Sequence, residues 1–176
     1  KQIKMFHDKE VGIVISNTKI FNCKKSVTLL PNNFNPSGKI LNKLLESYFV
    51  SLDTLVIRKK DVIKLHKHFD KKYDLIADFD LVVRLCKKVK VNYVSEVLSG
   101  WRLHDGNTTF KNPIRFINEK EIWLKEQRQN NFFANNLIGL RSFENHLFRH
   151  NAIFKLIEYK RYNSFKLLLN IKPKKI

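Results

Sequence analysis

A chain of 176 residues that is 43% hydrophobic can bury one substantial core and falls within the size of a single domain. Its two cysteines, Cys23 and Cys86, form neither a metal-ligand spacing nor a disulfide framework. No signal peptide is evident and no apolar run approaches the ~20 residues that span a bilayer, so a reduced, cytoplasmic protein with both thiols in its core is expected. Thirty-four Lys and Arg against 16 Asp and Glu give +18, a field that favours polyanions: nucleic acid, an anionic lipid surface or phosphorylated substrates.

In chain order, "VGIVISN" (Val11–Asn17) has the β-branched continuity of a buried strand. "PNNFNPSG" (Pro31–Gly38) is a loop whose Ser37 is placed to cap a helix running through Leu45. "VSLDTLVIR" (Val50–Arg58) alternates like a strand, and "KKDVIKLHKHF" follows as a short helix. Residues 73–88, "YDLIADFDLVVRLCKK", predict an amphipathic helix; "VNYVS" and "VLSGWRLH" predict two strands with a turn near Glu96. Asn112 as cap and Pro113 at the first helical position open a helical stretch, with breaks near Asn135–Gly139 and Asn163–Ser164. The layout is an α/β unit over residues 1–110 and an α-helical extension over 111–176.

The helix over 73–88 carries two aspartates two positions apart, which a turn of roughly 100° per residue cannot point the same way. Leu75, Phe79, Val82, Val83 and Cys86 form the core stripe. Asp80 falls on the opposite side, one turn before Arg84, as an i,i+4 pair worth ~0.3–0.5 kcal/mol. Asp78 falls between Val82 and Leu85, on the shoulder of the apolar arc. Partial desolvation there raises a carboxylate's pKa and makes it a better proton acceptor near neutrality. A first-turn acid that favours the helix dipole is the plainer alternative.

Several short segments occur in a meaningful order: Phe69-Asp70; Asp78, Phe79, Asp80 and Leu81 with Arg84; then Trp101, Arg102, His104 and Asn107. With "LVIRKKDV" (Leu55–Val62) and "VGIVISN", these resemble the C-terminal half of the bacterial family-2 glycosyltransferases, over about residues 10–110. The resemblance implies an α/β fold, the acceptor-side half of a GT-A nucleotide-diphospho-sugar transferase domain, followed by the helical region. It implies inverting transfer of a sugar from a nucleotide-sugar donor to the hydroxyl of a glycan or lipid-linked acceptor, in cell surface polysaccharide synthesis. Asp78 matches the general base, and His104 matches a histidine near the diphosphate and its divalent cation, Mn²⁺ or Mg²⁺.

Asp53 matches an acceptor-side position, and Trp101 and Arg102 are the further substrate-binding candidates. Taken alone, His104 reads as a surface histidine at a strand end, Trp101 as a core residue and Arg102 as a partner of Asp105 or of a helix carboxylate; Asn107 reads as ordering its loop through an Asx-type bond. Two departures stand out. Ala77 occupies the place of the acid that usually precedes the base. The family's donor-binding first half, with its nucleotide-binding start and Asp-x-Asp, has no counterpart. A fragment that does not transfer sugar by itself is the expectation.

Residues 139–176 carry nine basic and two acidic residues among Phe143, Leu147, Phe154, Leu168 and their neighbours. That mixture suits an interfacial helix on the inner face of an anionic membrane, or a helical cap with a solvated basic face. The rival reading of the whole chain is a non-catalytic basic nucleic-acid-binding module. It lacks zinc-ligand spacing and the interleaved aromatic–basic strands of an RNA-binding sheet.

Overall fold

In the computed structural model, residues 1–104, 106–107 and 112–163 are described. The β-branched run at the start becomes β1 (Val11–Phe21), whose first eight residues are all buried. Full burial on both faces fits its place inside the sheet. β4 (Lys90–Arg102) runs parallel along its length, so β2 (Ser26–Thr28) and β3 (Val56–Ile57), both antiparallel, share its other edge. Gln2, in a 3₁₀ turn at Gln2–Phe6, donates to the Val14 and Thr54 carbonyls.

Local chemistry moves several expected boundaries. The turn expected near Glu96 is instead a bulge within one strand, since the register steps from Ser16↔Val94 to Asn17↔Val97 and leaves Ser95 and Glu96 unmatched. At that bulge the Asn17 amide binds the chain: its Oδ1 accepts from the Leu30 amide at 3.0 Å and its Nδ2 donates to the Leu30 carbonyl at 2.8 Å. The strand expected over Val50–Arg58 shrinks to β3, because Leu52–Thr54 winds into a 3₁₀ turn closed by the Thr54 hydroxyl on the Ser51 carbonyl. Ser37 bonds Asn35 instead of capping; α1 (Leu41–Glu46) starts later, and α2 spans Lys59–Ile63. Cys23 is exposed beside β2, so Cys86 alone of the two thiols is in the core.

Two apolar clusters hold the elements. The first joins Ile13, Ile15 and Val91 of the sheet to Leu44 of α1 and Leu81, Val82 and Leu85 of α3 (Ala77–Cys86). The second contains no strand residue. It joins Leu45, Phe79 and Val83 to Ile117, Trp123 and Leu124 of α4 (Pro113–Gln129) and Phe143 and Leu147 of α5 (Leu137–Asn163). The sheet, the α1–α3 pair and the α4–α5 pair therefore stack as three layers. Residues from both sides of position 110 share the second cluster.

That third layer changes the reading of Asp80. The outward side assigned to it is covered by α4, and the residue is only 3% exposed. Arg84 donates to Oδ2 through Nε (2.9 Å) and Nη2 (2.7 Å), and Trp123 Nε1 donates to Oδ1 at 2.9 Å. The expected ion pair forms within α3, with its carboxylate buried and tied across to α4 by Trp123. Trp123, wholly buried, meets the rings of Phe79, Phe132, Phe133 and Phe143 at centroid distances of 5.0–6.1 Å. Such contacts add about 0.5–1.5 kcal/mol each beyond area burial.

Candidate active site

The entry to α3 fixes the site. Ile76 stands at its N-cap with no capping side chain of its own. The cap comes instead from α4: Glu119 Oε2 accepts from the amides of Asp74 (3.0 Å), Leu75 (2.8 Å) and Ile76 (3.3 Å). A carboxylate on three amides ties the two residues leading into α3 to α4, satisfies the orphaned N-cap amide of Ile76 and complements the positive end of the dipole. Asp78, in that first turn, is thereby held at the wall of a cleft of about 760 Å³.

Burial raises the Asp78 carboxyl above the ordinary carboxylate range, against the opposing pull of the Phe79 amide, the Tyr48 hydroxyl and the Lys120 charge. Tyr48 Oη donates to Oδ2 at 3.3 Å. Asp53 lines the same cleft in the opposite condition. Burial pushes its carboxyl up, but hydrogen bonds from Ser51 and Thr18 outweigh that and hold it below its usual value. Thr18 Oγ1 donates to Oδ2 at 2.9 Å, and Ser51 Oγ to Oδ1. Two carboxylates pushed apart in proton affinity is the pattern that separates a proton acceptor from a fixed charge.

Trp101 lines this cleft with Phe69 and Phe116, giving it aromatic walls. Arg102 and His104 do not line it. Both are exposed, Arg102 at the end of β4 and His104 just beyond. His104 Nδ1 accepts from the Gly106 amide at 3.1 Å, and the His104 amide donates to Asn107 Oδ1 at 2.7 Å, so Asn107 orders this loop. Asp105, the partner considered for Arg102, lies outside the described residues. Among the described residues no group of three or more His, Cys, Asp or Glu is arranged to hold a metal ion.

Lys120 was invisible to sequence reasoning, since nothing in "EKEIW" marks one lysine as buried. It is 2% exposed, lines the cleft, and has the rings of Phe79 and Phe116 within 5.6 and 4.5 Å. Burial brings its pKa down to about 8, and the Asp78 charge opposes that shift. Burial beside Lys120 holds His146 at about 3, so its neutral Nε2 accepts from the Lys120 ammonium at 3.0 Å. A second hollow of about 380 Å³ beside Asp80 is also lined by charges, but Lys67–Asp70, Lys72–Glu126 and Arg84–Asp80 pair there. The larger cleft is the better candidate. Comparisons with protein-family models, with curated proteins and with solved structures gave no match, so the chemistry assigned to the cleft rests on its own residues.

Proposed function

We propose that this chain is the acceptor-side part of an inverting glycosyltransferase, with Asp78 as the general base. The observation that carries the reading is the Asp78 carboxylate. It is half-buried in an aromatic-walled cleft, its proton affinity raised by burial, with a hydrogen bond from Tyr48 and the Lys120 charge opposing that rise. The resemblance of the ordered segments to family-2 glycosyltransferases points to the same residue.

In this mechanism the acceptor hydroxyl lies against Asp78 while its sugar ring or lipid-linked carrier stacks on the aromatic wall. Asp78 takes the hydroxyl proton as the oxygen bonds to the anomeric carbon. The bond from that carbon to the donor's diphosphate breaks, the nucleoside diphosphate leaves with the electron pair, and the anomeric configuration inverts. Asp53, kept ionised by its hydroxyl donors, orients acceptor hydroxyls by accepting hydrogen bonds. The described residues do not fit a divalent cation, so no step is assigned to one.

The test is sugar transfer by the complete gene product from a panel of nucleotide sugars, with Asp78→Asn as the variant. Loss of the base lowers turnover by at least ~10²-fold and leaves donor affinity nearly unchanged. Equal turnover in the two proteins removes Asp78 from the role. The acidic lining of Asp53, Asp74 and Asp78 is a poor surface for a polyanion, which weighs against the nucleic-acid reading of this cleft.

A further inference from the structure

Helix α5 has two unlike faces. Phe143, His146 and Leu147 are buried against α1, α3 and α4. Phe143 and Leu147, expected among the residues that would meet a membrane, are thus committed to the core. The opposite face presents Leu137, Ile138, Phe148, Ile153 and Leu156, each more than half exposed. These positions fall within one arc of the helix, since 137, 138, 141, 145, 148, 149, 153 and 156 recur at helical spacing. A run of large apolar side chains on one outward arc is more than the scattered apolar residues of an ordinary surface.

The charges on that arc have one sign. Arg141 and Arg149 are exposed on it, with Arg149 Nη2 reaching the Glu46 carbonyl at 3.5 Å, and among the described residues the arc carries no acid. Glu144 lies off it and pairs with Arg128 of α4. The helix spans 27 residues, and among the described residues no helix is long and apolar enough to cross a membrane. A long helix with its inner face packed, its outer face apolar and basic, and a net charge of +18 behind it matches an anionic bilayer surface. The apolar side chains enter the headgroup boundary and the arginines stay with the phosphates.

We propose that the outer face of α5 is a membrane-docking surface that lies in the plane of an anionic phospholipid bilayer. The proposal is independent of the transfer chemistry, because none of these residues lines the cleft. Attraction to the headgroups sets lipid preference and apolar insertion sets what survives salt.

The test is co-sedimentation of the full 176-residue chain with vesicles. Vesicles containing phosphatidylglycerol should bind it at least ~10-fold more tightly than pure phosphatidylcholine, and high salt should leave part of that binding in place. The double variant Ile138→Ser/Phe148→Ser should lose at least ~10-fold of the partitioning, with the remainder removed by salt. Both side chains are exposed, so thermal melting should match wild type. No pelleting of wild type with phosphatidylglycerol vesicles overturns the proposal, as does wild-type binding by the double variant. Self-association abolished by the same variant, without vesicle binding, would make the face a protein interface instead.

Discussion

Burial makes the folded state hold the proton on Asp78 more tightly than the unfolded chain does. The sign of the linkage follows: such a group contributes stability below the ordinary carboxylate pKa of about 4, and that contribution is lost as pH rises through the folded value. Asp78→Asn, neutral at every pH, is therefore expected to melt at a higher temperature than wild type at pH 7. The difference should shrink toward pH 4 in scanning calorimetry. A variant that gains stability while losing turnover would mark a residue kept for function at the expense of the fold. Lys120 acts on the same carboxyl with the opposite sign, its charge drawing the Asp78 pKa down. Lys120→Met should move the Asp78 titration midpoint upward in carboxyl-carbon NMR. An unmoved midpoint would show that the lysine serves packing alone.

The start of α3 depends on a residue more than forty positions away. Glu119 is 6% exposed and its one oxygen takes three amides, so Glu119→Ala takes that partner from the buried Ile76 amide and from two part-buried ones. Charge-assisted bonds of this kind are worth about 1.5–3 kcal/mol, and a loss of that order is expected in urea denaturation. Hydrogen exchange at Asp74, Leu75 and Ile76 should rise more than at the middle of α3. Exchange that rises uniformly would show global destabilisation without loss of a specific cap. Because Asp78 sits in the turn that Glu119 holds, the same variant should weaken activity with Asp78 still present.

Across the whole molecule, the second core joins the helical layer to α1 and α3. Phe143 is wholly buried, and removing such a ring costs about 3–5 kcal/mol against a total stability of about 5–15 kcal/mol. A chain ending at residue 138 loses Phe143, Leu147 and the His146 partner of Lys120 together. We expect no cooperative thermal transition from it by circular dichroism. A sharp melt near the wild-type temperature would show that residues 1–110 fold as a body of their own, as the sequence layout suggested.

Local pattern was enough wherever the physics was local. The β-branched run at Val11 fixed a buried strand, Pro113 fixed a helix start, and the shoulder position of Asp78 predicted a half-buried, raised carboxylate, which is its condition in the cleft. The pairing of Asp80 with Arg84 was legible from spacing; its burial was not, because a helical wheel shows one apolar stripe and cannot say that α4 covers the second side. The continuity of β4 through Glu96 depended on its parallel register with β1, across more than seventy residues of chain. Lys120, His146 and Glu119 carried no signal at all. Each is an ordinary polar residue on a helix until packing removes its water, and the desolvation and long-range contacts that give them roles exist only in the folded molecule.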